Sequence, residues 1–155
     1  MPLVLVLCSL LIAAVQRPAD VVRWTAAVAS AAVAPGATVK ITVNAKVQSG
    51  WKLYAIEQPA DGPEPLTFSV PKDSGYSLTA KQIVAPKAKV QNDDNFGLQT
   101  RYYESDASFT VPVAVPASAT GAVHVPLDVT FQACGQNICL RPFTQKLQVP
   151  ITISR

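Results

Sequence analysis

The amino-acid sequence predicts an all-β domain, in the form of an antiparallel β-sandwich. Four stretches alternate apolar with polar or smaller residues, which is the period of a strand with one buried face. Thirteen prolines and several glycine-containing clusters divide the chain into short segments, as is typical of sandwiches. No helical period of 3.6 residues extends beyond two turns. An open barrel built from the same strands is the alternative.

The alternating stretches extend over most of the chain. They are 39–47, 109–115, 123–131 and 147–153, and in each the odd-numbered positions are apolar. Because side chains along a strand point to opposite faces in turn, we expect these odd-numbered residues to form the core. Turns are predicted between the strands by Pro35-Gly36, Asp61-Gly62-Pro63 and Asp73-Ser74-Gly75.

The N-terminus resembles a signal peptide for export. Leu3 to Val15 is almost entirely apolar and ends in small residues, although no lysine or arginine precedes it. At 13 residues it is too short for a membrane-spanning helix, which needs about 20. We predict a signal peptide over 1–14, ending as late as about residue 19, and a domain over 20–155. A buried strand or a retained anchor is the alternative.

Export would place the remaining chain in an oxidising compartment, where disulfides persist. Cys8 would leave with the signal peptide. The remaining residues, roughly 135 to 140, suffice for one domain with its own core. The net charge is +3 with both signs scattered, so we expect no nucleic acid partner. No second apolar stretch reaches membrane length, and we expect a monomer that does not contact the membrane after cleavage.

Cys134 and Cys139 are the most informative residues. Four residues separate them, in the segment V-T-F-Q-A-C-G-Q-N-I-C-L-R-P at 129–142. We expect both thiols at the mouth of a hairpin, accessible to another protein, with Cα atoms about 4.4–6.8 Å apart. Cys134 shares the parity of Thr130 and Gln132, which places it off the core. A structural staple and a thiol–disulfide exchange site both fit this pattern.

Other chemistries have weaker support in the residues. His124 is the only histidine, and its parity places it on the polar side of a strand. Two cysteines and one distant histidine give a poor zinc ligand set. No glycine-rich phosphate loop is present. We therefore predict neither a metal nor another cofactor.

Three segments together resemble one known family. They read F-Q-A-C-G-Q-N-I-C-L-R-P at 131–142, G-W-K-L-Y-A-I-E-Q-P-A-D-G-P-E-P at 50–65 and D-D-N-F-G at 93–97, the last followed by Tyr102, Tyr103 and Glu104. They are similar to the N-terminal periplasmic domain of DsbD, the thiol:disulfide interchange protein. The resemblance extends over roughly residues 22–153 and implies an immunoglobulin-like fold.

The resemblance also implies roles for individual residues. Cys139 would form the mixed disulfide with a partner, and Cys134 would resolve it. A cap loop would shield the pair and would correspond to Asp93, Asp94 and Phe96, with Asn95 in place of the family's first cap aromatic. Tyr54 matches one of two site tyrosines, whereas Lys52 occupies the position of the other. Independently of the resemblance, Arg141, two residues beyond Cys139, would favour a thiolate there, whereas Asp93 and Asp94, if they close over the pair, would favour the protonated thiol.

The predicted function is a periplasmic relay of reducing equivalents through Cys134 and Cys139. By resemblance, thioredoxin-like domains would donate and accept the electrons, in a context that includes cytochrome c biogenesis. The membrane-embedded and C-terminal parts of DsbD have no counterpart in these residues, so we expect a relay or a receiver. The alternative is a non-catalytic interaction module in which the same disulfide is permanent.

Overall fold

The computed structural model describes residues 16–29 and 32–154, and within them nearly all regular structure is strand. A short helix, α1 (Pro18–Val21), precedes the first strand, and two single 3₁₀ turns occupy Lys72–Ser74 and Ala80–Gln82. The strands are β1 (Val22–Val28), β2 (Ala32–Val33), β3 (Thr38–Val47), β4 (Lys52–Tyr54), β5 (Thr67–Ser69), β6 (Ser77–Leu78), β7 (Lys89–Asp93), β8 (Leu98–Tyr103), β9 (Ala107–Ala114), β10 (Gly121–Phe131), β11 (Ala133–Cys134) and β12 (Phe143–Ile153).

Two four-stranded sheets form the sandwich. Their strand orders are β1-β3-β9-β6 and β2-β12-β10-β5. Neighbouring strands are antiparallel, except that β2 pairs with β12 in parallel. The four predicted stretches lie in β3, β9, β10 and β12, apart from Val115, which lies just beyond β9. The all-β prediction is therefore confirmed.

The core lies between the inner faces of these two sheets. In β3 the odd-numbered residues from Val39 to Val47 are buried and the even-numbered ones are exposed, as the alternation predicts. Aromatic rings from the two sheets pack together in this core. The ring centroids of Trp24 in β1 and Phe131 in β10 are 5.4 Å apart. Burying apolar surface contributes about 25 cal/mol per Å², so this continuous cluster supplies most of the stability. β1 was not predicted, because its sequence V-R-W-T-A-A-V alternates only weakly.

A third sheet, built from shorter strands, has the order β11-β4-β8-β7. Its strands are only two to six residues long. One face of the sheet carries Leu53, Tyr103 and Ala133, which belong to the main core. The opposite face carries Cys134, which belongs to a separate and smaller cluster.

The predicted signal peptide, residues 1–14, lies outside the described residues. Within 16–29 and 32–154, no helix has the length and apolar character needed to cross a membrane.

Candidate functional site

Cys134 and Cys139 face each other across a tight hairpin and are joined by a disulfide. Their Cα atoms are 4.0 Å apart, which is shorter than the predicted range of about 4.4–6.8 Å. The reason is their place in the hairpin: they form a non-hydrogen-bonded pair, the closer of the two antiparallel spacings. The flanking backbone bonds are Leu140 N–H to the Ala133 carbonyl at 3.0 Å and Gly135 N–H to the Ile138 carbonyl at 2.8 Å.

The two cysteines differ in exposure. Cys134 is fully buried, whereas Cys139 is only partly buried. The expectation that both thiols are accessible is therefore wrong for Cys134. Cys134 does lie off the main core, as its parity predicts, since its neighbour Ala133 belongs to that core. However, a second set of side chains covers the other face, so lying off the core does not expose it.

This covering set, called the thiol cluster below, is separate from the main core. Tyr54, Tyr102 and Cys134 are buried in it, and Phe96 and Cys139 pack against them. The rings of Tyr54 and Phe96 meet edge to face with their centroids 5.6 Å apart, a favourable arrangement for aromatic pairs. The thiol cluster therefore joins residues 54, 96, 102, 134 and 139 around one disulfide.

The register of the third sheet explains this assembly. Cys134 lies opposite Lys52, and Tyr54 lies opposite Tyr102. Directly opposed residues share a face of a sheet, as do residues two apart on one strand. One face, called the site face below, therefore carries Cys134, Lys52, Tyr54, Tyr102, Thr100, Leu98, Lys89, Gln91 and Asp93.

Asp93 is a buried carboxylate at the end of β7, where the site face meets the turn of residues 93–97. Its Oδ2 accepts hydrogen bonds from the Tyr54 hydroxyl at 2.7 Å and from the Thr100 hydroxyl at 3.2 Å. Its Oδ1 accepts one from the Asn95 N–H at 3.0 Å. The Lys52 ammonium lies 3.7 Å from Oδ2. Each of these groups is a donor that favours the charged form of the carboxylate.

These partners determine the charge of Asp93. Burial acts to raise its pKa, but the hydrogen bonds from Tyr54 and the Asn95 backbone, helped by Lys52, hold the pKa below its ordinary value. Conversely, burial and the bond to Asp93 raise the pKa of the Tyr54 hydroxyl well above its ordinary value. At neutral pH the site therefore holds a carboxylate anion and a neutral tyrosine.

The 93–97 turn closes β7 onto β8 and brings Phe96 to the thiol cluster. The N–H groups of Phe96 and Gly97 both donate to the Asp93 carbonyl, at 3.1 Å and 2.8 Å. Gly97 has a φ of 63°, in the left-handed region that glycine adopts without strain. Residues 91–95 also line a cleft of about 290 Å³ together with Lys52 and the hairpin residues Gly135 and Gln136.

The Gly50–Pro65 segment supports the hairpin from the side of the sandwich. Gln132 donates from its Nε2 to the Leu140 carbonyl at 3.2 Å, and its Oε1 accepts from the Glu64 N–H at 2.8 Å. The Trp51 ring packs against the backbone of Gly135. These contacts link the two segments on which the resemblance mainly rests.

Not every predicted residue reaches the thiol cluster. Asp94 and Asn95 are exposed on the 93–97 turn, and Arg141 is exposed beyond the hairpin. His124 is exposed, in agreement with its parity. No grouping of three metal-ligating side chains occurs in the part of the chain that the structure describes.

The sequence alone does not indicate that Gln91, Thr100 and Tyr102 contribute polar contacts to the site face. The Tyr102 hydroxyl donates to Gln91 Oε1 at 2.6 Å, and Thr100 contacts Asp93. The parity of β8 places Thr100 and Tyr102 on one face, but only the pairing with β4 and β7 places that face beside the cysteines.

Comparison with known proteins identifies the family. A family model described as "Thiol:disulfide interchange protein DsbD, N-terminal" matches residues 19–151. The chain belongs to the DsbD N-terminal domain family. A search of curated proteins found no match.

Solved structures of similar fold were also found. The DsbD N-terminal domain of Neisseria meningitidis, in the reduced form, has a TM-score of 0.59 at 18% identity, covering 86% of this chain and 87% of that one. At that identity the similarity establishes the fold, which is the immunoglobulin-like sandwich of the DsbD N-terminal domain. The N-terminal periplasmic domain of ScsB from Proteus mirabilis has a TM-score of 0.48 at 19% identity, covering 81% of this chain and 44% of that one.

Proposed function

We propose that this domain exchanges its disulfide with thioredoxin-like proteins in the periplasm, relaying reducing equivalents through Cys134 and Cys139. Family membership supports thiol–disulfide interchange. The observation that carries the proposal is the unequal exposure of the pair: Cys139 is partly exposed and Cys134 is fully buried. A partner can reach one sulfur of the bond, while the other is protected until the bond opens.

The exchange has two balanced steps. The thiolate of a reduced partner attacks Cys139 Sγ, the Cys134–Cys139 bond breaks, and its electron pair remains on Cys134 as a thiolate. The partner's second cysteine then attacks its own linked sulfur and releases Cys139. The domain has gained two electrons and, after protonation, two protons, and the partner has become a disulfide. The reduced pair passes the electrons on when Cys139 attacks the disulfide of an acceptor.

The 93–97 turn acts as a cap over this chemistry. Phe96 packs on the thiol cluster, Asp93 fixes the turn to Tyr54, and Asp94 adds negative charge at its exposed surface. A docking partner would displace the turn, so that the thiols react with the partner but are shielded from small oxidants. Arg141 is exposed two residues beyond Cys139 and would favour a thiolate there.

The reaction proposed here uses protein thiols alone, so it requires neither a metal nor another cofactor. The domain would act as an exported monomer. Cytochrome c biogenesis is one pathway that such a relay would supply.

The experiment that tests this function is to trap the mixed disulfide. With Cys8→Ser in the background, Cys134→Ser leaves Cys139 as the one thiol of the pair. The probe is a thioredoxin-like domain whose nucleophilic cysteine carries a thionitrobenzoate group and whose resolving cysteine is replaced by serine. We expect Cys139 to form the covalent adduct and to release one thionitrobenzoate per adduct.

The matched control is Cys139→Ser, which should form little adduct because Cys134 is fully buried. The rival function is an interaction module with a permanent crosslink. Closing so short a loop stabilises a fold by only about 2 kcal/mol according to chain entropy. If neither variant forms an adduct and reduction destabilises the domain several times more than this, the crosslink is structural and exchange is wrong.

A further inference from the structure

Lys52 occupies a distinctive place on the site face. Lys52 lies directly opposite Cys134 on the neighbouring strand. Cys139 lies opposite Cys134 on the other side of β11. Cys139, Cys134 and Lys52 therefore lie in a row across three adjacent extended segments, β4, β11 and the return arm of the hairpin. Adjacent strands are about 4.8 Å apart and directly opposed Cβ atoms about 5 Å apart, so Lys52 is a neighbour of Cys134 and a more distant residue from Cys139.

The burial of Cys134 creates an electrostatic problem for exchange. When a partner opens the disulfide at Cys139, the electron pair of the broken bond remains on Cys134. That sulfur is fully buried among Tyr54, Tyr102 and Phe96. Burial away from water disfavours a thiolate unless an opposite charge or a hydrogen-bond donor compensates it.

Among the described residues of the site face, Lys52 is the cationic residue directly opposite Cys134 in the strand register. Lys89 also lies on this face, but it is opposite Tyr102 on the outermost strand and forms an ion pair with Glu104. The titratable and charged groups that face Cys134 or its immediate neighbours are Cys139 of the hairpin, Lys52 and Tyr54 of β4, Tyr102 of β8 and Asp93 of the cap.

The present contacts of the Lys52 ammonium leave hydrogen-bond donors available. Its Nζ lies 3.7 Å from Asp93 Oδ2, beyond hydrogen-bond distance, and Asp93 already accepts three hydrogen bonds. The ammonium also lies over the Tyr102 ring, 4.7 Å from the centroid, and that ring packs against Cys134. Since an ammonium has three donors, Lys52 retains capacity for a further anion on this face.

We propose that Lys52 stabilises the thiolate that forms on Cys134 when a partner thiol opens the disulfide at Cys139. One thiolate enters the step on the partner and one leaves it on Cys134, so the charge is conserved and only its position changes. Displacement of the cap would remove Asp93 and transfer the ammonium from that carboxylate to the new sulfur anion. This proposal rests on the exchange function proposed above.

The test measures Cys134 alone, without any partner. In a Cys8→Ser, Cys139→Ser background, the ultraviolet absorbance of the Cys134 thiolate is followed as the pH is raised. Lys52→Met should move its titration to higher pH by about one unit or more, because an opposite charge at this range favours the charged form by about 1–3 units. Lys52→Arg should restore most of the shift. Lys46→Met removes an exposed lysine of β3 and should leave the titration unchanged.

A second readout uses the intact disulfide. Lys52→Met should slow its reduction by dithiothreitol a few fold, because a leaving thiol of higher pKa departs more slowly. Lys52→Gln, which keeps a polar side chain, replaces Lys52→Met if the latter does not fold. An unchanged titration in the Lys52 variant, or an equal shift in Lys46→Met, would overturn the proposal.

The two proposals fail separately. A normal Cys139 adduct with an unchanged Cys134 titration overturns the role of Lys52 alone. A shifted titration without any adduct overturns the exchange function, and with it the catalytic use of Lys52, while leaving its electrostatic effect on Cys134 established.

Discussion

The main core and the thiol cluster lie on opposite faces of the same short sheet, but they bury different chemistry. The face directed at the sandwich carries Leu53, Tyr103 and Ala133 and joins a large apolar core. The other face buries a sulfur of the disulfide beside a carboxylate and two tyrosines. The first face stabilises the fold, whereas the second holds the disulfide and titratable groups, which a few polar contacts keep in place. A substitution in the main core should therefore change mainly the stability of the fold, and a substitution in the thiol cluster mainly the reactivity of the cysteines.

The largest effect on stability should come from the main core. Leu127 is fully buried between the sheets, and Leu127→Ala should lower the free energy of unfolding by about 2–5 kcal/mol, because it removes buried methyl groups and leaves a cavity. Reducing the disulfide of the wild-type domain should lower it by only about 2 kcal/mol. Urea unfolding of the oxidised, reduced and substituted proteins measures both. If the reduced wild-type domain were less stable than oxidised Leu127→Ala, the disulfide would contribute more to stability than this core residue, contrary to expectation.

Asp93 should make a smaller and pH-dependent contribution. The folded pKa lies below the ordinary value of 3.8, so the carboxylate stabilises the fold above that pH and the contribution is lost as the pH falls through the folded pKa. Hydrogen bonds to a charged group are worth about 1.5–3 kcal/mol. Asp93→Asn should therefore be less stable than wild type at neutral pH, and the difference should shrink below about pH 4.

Asp94→Asn provides the matched control for this measurement. It removes the same charge from the next residue, which is exposed, and its unfolding should follow the wild type at every pH. Equal effects of the two substitutions would mean that the net charge of the cap, rather than the buried contacts of Asp93, determines the pH dependence.

The smallest stability effect should come from Phe96, together with a clear effect on reactivity. Phe96→Ala removes an edge-to-face contact worth about 0.5–1.5 kcal/mol and opens one side of the thiol cluster. Alkylation of the reduced thiols by iodoacetamide should become faster. Val90→Ala, an exposed position on the same hairpin but on the opposite face of the sheet, should leave the rate unchanged. A wild-type rate in Phe96→Ala would remove the support for a cap.

Much of the main core could be predicted from sequence because long strands repeat the same signal. In β3, β10 and β12, each ten or eleven residues long, every odd position of the predicted stretch is apolar, so a single error cannot reverse the assignment of faces. β4 and β11 have three and two residues, too few to show a period. Their place in a third sheet follows from tertiary pairing, which no local pattern reveals.

The sequence indicates which residues belong to the site, but not how the fold brings them together. Resemblance to the family indicated Cys134, Cys139, Asp93, Phe96 and Tyr54, and the structure brings these five together. Their functional roles stay proposals. Parity placed Cys134 off the core correctly, but it could not show that Tyr54 and Tyr102 cover it. That coverage depends on the register of β4 against β8, which unites residues about fifty positions apart.

The most direct test of the central claim is the reduction potential of the Cys134–Cys139 pair. The domain is equilibrated in glutathione and dithiothreitol buffers of known potential, and the free thiols are counted after alkylation. Structural disulfides typically have potentials below about −300 mV, whereas exchanging pairs are more oxidising. A pair that exchanges with thioredoxin-like partners should have a potential above about −300 mV. A value well below it would identify a permanent crosslink and contradict the proposed exchange.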